Sequence, residues 1–210
     1  MLAKGQVRVD GEVIFDAQHV VNAFSCINVA GAEIQNKQAR YIMLNKPKGY
    51  VSATKDDIHP TVLELVNECY AHELHIAGRL DLNTTGLILL TNDSHWSESL
   101  TNADGGIIKK YLVTTKDPID YEQYQRVFER GIYFKTENIT TKPAKLIAIN
   151  AYQCCLEITE GKYHQIKRMF GYFDNQVIEL HRERIGQIEL DAHLGFGDYR
   201  VITTDYMNLC

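Results

Sequence analysis

The sequence predicts an α+β fold with a largely antiparallel sheet. Three observations lead there: strand-length apolar runs outnumber helical stretches, the two kinds do not alternate as in a doubly wound fold, and 45% of the 210 residues are hydrophobic, enough for one good core in one lobe or two. Alternating Val7, Val9, Val13 and Phe15, broken at Asp10-Gly11, predict a small N-terminal hairpin. From Val20 to Arg40 the residues are small and polar without a firm period, which places a linker near 35–40 and divides the chain into 1–38 and 39–210. Further strands are expected at 41–45, 74–77, 86–91, 110–115, 144–149, 154–159, 176–181, 185–190 and 198–202. Pro60 followed by Val62, Leu65, Val66 and Cys69 on one face predicts a helix after residue 60, with others at about 94–102, at 119–130 between Asp120 and Gly131, and at 162–173.

No stretch approaches the roughly 18 to 20 apolar residues of a membrane helix, and the opening MLAKGQVRVD has no apolar signal region, so a cytoplasmic protein is expected. Cys26, Cys69, Cys154, Cys155 and Cys210 form an odd set without a CxxC pair, which argues against a disulfide framework or a zinc cage and for reduced packing residues. His72 and His75 lack the further ligands a metal needs, and there is no glycine-rich phosphate loop or dinucleotide fingerprint, so neither metal nor nucleotide cofactor is expected. The net charge of −5 and pI near 5.9 advertise no general affinity for nucleic acid; any such affinity has to come from local charge.

Two segments are dense in reactive residues. HIAGRLDLNTTGLILLTND (75–93) carries Arg79 and Asp81 in a loop between two strands, an arrangement that can hold a carboxylate for chemistry, although in an arbitrary sequence such a pair more often serves structure, with the carboxylate bonding turn amides. EGKYHQIKRMFGYF (160–173), drawn as a helix, has a core stripe of Ile166, Met169, Phe170 and Phe173 and a second face of His164, Lys167 and Arg168 between Tyr163 and Tyr172, a mixture suited to phosphates and bases. ELHRERIG (179–186) adds His181, Arg182 and Arg184.

GRLDLNTTGLILLTND, KKYLV, TKPA and EGKYHQIKRMF, in this order over residues 40 to 202, resemble the pseudouridine synthases that modify ribosomal RNA. YIMLNKPKGYV, the HP-T-V-L pattern at 59–63, HQIKRMF and HRERIG look most like members acting on one uridine of 16S rRNA. Large-subunit members, the alternative, typically read RQIRRM where this chain has residues 164–169. The resemblance implies a pseudouridine synthase fold, no cofactor, a monomer, and 16S rRNA or a small-subunit assembly intermediate as partner. It implies Asp81 as the catalytic aspartate, Arg79 as its motif arginine, Tyr111 as the ring against the target base and Lys167 as the cation facing the acid. Lys46, Lys48, Lys110, His164, Gln165, Arg168, His181, Arg182 and Arg184 become candidate RNA contacts, joined by Lys4 and Arg8 of a partial alpha-L type RNA-binding domain whose first helices are missing.

Uridine isomerisation breaks the ribose-to-nitrogen bond, turns the uracil and bonds the sugar to carbon 5, with no net oxidation. An aspartate can attack the anomeric carbon or remove the 2′ proton, and the sequence leaves both open. A second reading is a non-catalytic RNA-binding or ribosome-assembly module with a structural Asp81. A carboxylate-dependent hydrolase is disfavoured, because only Asp81 stands in a motif.

Overall fold

The computed structural model describes residues 1–203; Cys210 lies outside them. The chain divides into two compact units, Met1–Arg40 and Tyr41–Cys210.

The first unit is a four-stranded antiparallel sheet of β1 (Val7–Val9), β2 (Glu12–Val13), β3 (Ile27–Val29) and β4 (Ala32–Gln35) in the order β2-β1-β3-β4. Its first turn is the expected Asp10-Gly11 pair, with φ of 52° and 88°. The second hairpin was missed in the sequence because β3 and β4 are only three and four residues long, so the alternation of Ile27 and Val29, and of Ala32 and Ile34, is too brief to stand out, and β4 is mostly exposed. Of the four alternating apolar residues, Val9 is buried and Val7 and Val13 are half-buried, whereas Phe15 lies beyond β2 and is exposed.

The second unit runs β5 (Tyr41–Lys46), β6 (His75–Ala77), β7 (Thr85–Thr91), α1 (Ser94–Thr101), β8 (Lys109–Thr115), α2 (Tyr121–Arg130), β9 (Tyr133–Phe134), β10 (Ile139–Thr140), β11 (Lys145–Asn150), β12 (Gln153–Ile158), α3 (Gln165–Gly171), β13 (Val177–Ile185), β14 (Ile188–Glu189) and β15 (Tyr199–Val201). The large sheet has the order β11-β12-β8-β13-β7-β5-β15, with β6 on β7 and β14 on β13. β7 and β13 pair in parallel, and the other pairs are antiparallel. The α+β expectation therefore holds.

One core lies between the β8–β12–β13 region and helices α2 and α3, through Val113, Leu156, Tyr124, Phe128, Met169 and Phe170. Another covers β5 and β7 through Ile42, Leu44, Ile88 and Leu90, closed by Val62, Val66 and Leu74. That second cover is where a helix was expected. The chain makes only a short 3-10 turn, Val62–Leu65, before Val66 becomes extended, because β-branched Val62 and Val66 gain more by packing on the sheet than a weak helix former gains by coiling. The two strands expected at 176–181 and 185–190 are one long strand and a hairpin, turned at Gly186 with φ 58°. Helix α3 is shorter than expected at both ends, but Ile166, Met169 and Phe170 form the buried stripe its spacing implied. Of the cysteines, Cys154 packs in the core, Cys26 and Cys155 are half-buried, and Cys69 is exposed, so packing does not account for the last.

The sheet forks at Leu87. β5 runs beside β7 from Gly86 to Thr91, whereas on the other side β13 pairs only with Thr85 and Gly86 before β6 takes its place at Leu89–Thr91. The loop from β6 back to β7, residues 78–84, fills the fork. Gly86 lets β13 come this close: its φ is 102°, and a Cβ there would sit 2.7 Å from the Arg182 nitrogen and nearer still to the Arg182 carbonyl oxygen. Gly86→Ala is expected to push β13 from β7 and cost at least about 3 kcal/mol, seen as a lower denaturation midpoint. Gly171→Ala, in open space, is the control and should leave the midpoint in place.

Candidate active site

Loop 78–84 is held through its carbonyl groups. A backbone in a sheet fork has no strand to pair with, and buried carbonyls left without donors are costly. Arg182, on β13, supplies donors from one side: its Nε donates to the Leu87 carbonyl at 2.8 Å, one Nη to that of Gly78 at 2.6 Å and the other to that of Arg79 at 3.4 Å. Lys46, at the end of β5, supplies them from the other: Nζ donates to the carbonyls of Thr84 at 2.8 Å and of Asp81, Leu82 and Pro47 at 3.1 Å. Ser52 closes the middle, its Oγ donating to the Leu80 carbonyl at 2.8 Å and accepting from the Leu80 N–H at 3.0 Å. Burial pulls the Lys46 ammonium down to about 8, helped by the charges of Arg182 and Lys167 and opposed by Asp81.

The loop so braced presents Asp81. Its Oδ2 accepts from Lys167 Nζ at 2.9 Å and lies 3.6 Å from His164 Nε2, in a pocket open enough to leave the carboxylate 28% exposed. Lys167 and His164 come from the start of α3, and His164 has φ 50°, a strained value for a side chain of this kind, which fits it to the turn before the helix. The preceding turn is tied by Gln165, which donates to Glu160 at 2.7 Å and accepts from the Lys162 N–H at 2.9 Å. Tyr111 and Leu180, with Leu80, Ile158 and Ile166, make a wall that is mostly apolar, and Arg79 stands at the rim with its side chain exposed. The Tyr111 hydroxyl is 3.5 Å from an Arg182 Nη. The arrangement offers one carboxylate, one ammonium bonded to it and an aromatic wall. Among the described residues no three metal-ligating side chains come together.

Arg79, Asp81, Tyr111, His164 and Lys167 thus meet in one pocket. Gln165 also lines this pocket, and the remaining candidate RNA contacts do not join it. Lys46 and Arg182 are buried at 0% and 1% exposure and spend their donors on the protein's own carbonyls, which corrects the expectation that they meet RNA, while Gln165 is held at the pocket wall by its bond to Glu160 at 2.7 Å. Arg168 points away, paired with both carboxylate oxygens of Glu137 at 2.7 Å and lying over the Phe134 ring. Lys110, His181 and Arg184 line separate hollows on the opposite face of the sheet, since they alternate along their strands with residues facing the Asp81 pocket, and Lys48, in the turn after β5, lines one of these hollows beside His181. There Lys110 pairs with Glu183 and Arg184 with Glu157, and burial lowers the basicity of His181. Lys4 and Arg8 are exposed on the first unit. Sequence reasoning missed Ser52, Glu137 and Glu160. Glu160 begins the EGKYHQ run, but Ser52 and Glu137 reach their partners only through tertiary packing.

A mostly antiparallel sheet carries, on a braced loop at its fork, an acid that faces a cation and an aromatic ring in one open pocket. Comparisons with known proteins show the family. The structure aligns with a crystal structure of a pseudouridylate synthase at a TM-score of 0.79 and 37% identity, over 99% of this chain and 90% of that one. The sequence profile of RNA pseudouridylate synthase matches residues 40–172, and the chain belongs to that family. A relative from Pseudomonas aeruginosa named ribosomal small subunit pseudouridine synthase A is 48% identical over 206 residues, covering 98% of this chain and 89% of its own. Proteins of the same name from Escherichia coli (strain K12) and Vibrio cholerae are 45% and 43% identical, covering 95% and 98% of this chain and 87% and 88% of their own.

Proposed function

We propose that the protein converts one uridine of 16S rRNA to pseudouridine, with Asp81 as the catalytic aspartate. The observation that carries the reading is the Asp81 carboxylate bonded to Lys167 at 2.9 Å in a pocket walled by Tyr111. The names of the relatives support the small-subunit RNA as substrate. The uridine leaves its stack and enters the pocket with its base against Tyr111, a step that exposes atoms a paired or stacked strand hides. Asp81 then acts on the sugar, as nucleophile at the anomeric carbon or as base at the 2′ position. In either route the carbon–nitrogen bond breaks, the uracil turns, a bond to carbon 5 forms and the carbon 5 proton is lost to solvent. Lys167 balances the charge of the carboxylate, and Arg79 at the rim is placed to meet a phosphate. The first unit supplies Lys4 and Arg8 to RNA as part of an alpha-L type module, and the protein acts as a monomer in the cytoplasm.

The test is to incubate the protein with 16S and with 23S rRNA in separate reactions and map new pseudouridines. A single new site in 16S rRNA is expected. Product in 23S rRNA instead would assign the protein to the large subunit, and binding to either RNA without product would make it an RNA-binding module.

A further inference from the structure

Beside the Asp81 pocket lies a second hollow, lined by Val51, Ser52, Arg79, Lys162, Tyr163 and His164 along with the loop of Asp81 itself. Tyr163 is 74% exposed, an unusual position for so large a ring, yet it is well held. Its ring stacks on the His164 imidazole at 3.9 Å and 19°. Its carbonyl accepts from Arg168 at 3.3 Å, and Arg168 is itself fixed by the two-pronged bond to Glu137. His164 bears the cost of a left-handed backbone at φ 50°, which carries its ring both under Tyr163 and to within 3.6 Å of Asp81. One face of the tyrosine is therefore taken by the imidazole and the other is open, and the same hollow is lined by Arg79, which is exposed, and by Lys162, whose ammonium lies 3.5 Å from Glu160 and is one-third exposed.

We infer that the Tyr163–His164 stack is the platform for the nucleobase next to the target uridine, with Arg79 and Lys162 facing the phosphate between the two nucleotides. This rests on the reading of the Asp81 pocket as the uridine site. A strand whose uridine has been turned out loses the stacking of that nucleotide with its neighbour, and an exposed, fixed aromatic one pocket away replaces it without regard to base identity.

The experiment uses a 16S rRNA fragment spanning the mapped uridine, and the same fragment with a single abasic nucleotide on its 5′ or its 3′ side, measuring KM and kcat by tritium release and Kd by fluorescence anisotropy. Tyr163→Ala is expected to raise KM and Kd for the intact fragment about tenfold with kcat within about twofold, and Tyr163→Phe to match the parent. One of the two abasic fragments should weaken the parent by the same factor and the Tyr163→Ala protein by none. An unchanged KM and Kd in Tyr163→Ala, or an abasic penalty as large in the variant as in the parent, overturns the platform. A parent that binds the fragment and makes no pseudouridine overturns the enzymatic reading instead, and the anisotropy series still decides on Tyr163.

Discussion

Asp81→Asn is expected to lower pseudouridine formation by at least about 10³-fold while the protein folds and binds RNA as before. Asparagine has the shape of aspartate and none of its charge: it can neither attack the anomeric carbon nor take a proton from the neighbouring one. The loop survives the change because it is held through its main chain. The carbonyls of residues 78 to 82 and 84 that bond to Arg182, Ser52 and Lys46 do so irrespective of the side chain at position 81. What is lost on the side-chain side is the ion pair with Lys167, whose atoms are about one-third exposed, and such pairs contribute little to stability. Tritium release from RNA labelled at uridine carbon 5 measures the reaction, and thermal unfolding with RNA titration checks the rest. Turnover within about tenfold of the parent would remove Asp81 from the chemistry.

The largest expected loss of stability comes from a residue that the sequence marked as an RNA contact. Arg182→Met keeps the length and volume of the side chain but leaves the carbonyls of Gly78, Arg79 and Leu87 without their donor in the fork of the sheet. The cost is about 3 to 5 kcal/mol, the size typical of removing one partner from a buried charged network, and the unfolding temperature should fall on the order of 10 °C. Arg182→Lys should recover little, because a single ammonium cannot serve Leu87 on β7 and Gly78 in the loop as the guanidinium fork does. Activity measured well below the new unfolding temperature should also drop, since the loop of Asp81 then has more than one way to sit. A protein with methionine at 182 as stable as the parent would show that the guanidinium is not what holds the fork.

Residues whose role is local were legible in the sequence. The Asp10-Gly11 turn, the Asp120 cap and Gly131 end of α2, and the stripe of Ile166, Met169 and Phe170 follow from dihedral preference and periodicity, properties that one stretch of chain carries alone. The pairing of Arg79 and Asp81 in a loop between strands was equally visible, and the ordered motifs around it identified the family. Long-range partners were not visible. Lys46, Lys48, Arg168, Arg182 and Arg184 read as five similar cations, and tertiary structure separates them: two are sealed beneath the loop, one is locked to Glu137, one pairs with Glu157, and Lys48 stays exposed on the far face.

The amino-acid order by itself determined most strands of the second unit, the turn at Asp10-Gly11, the limits of α2 and which acid stands in a loop, because those choices depend on neighbours within a few residues, whereas the β3–β4 hairpin and the extended chain after Val62–Leu65 were not legible in it. Only the tertiary structure decided what each cation does, because a charge acquires its role from the groups that surround it once water is excluded, and for Arg182 those groups lie up to 104 positions away along the chain.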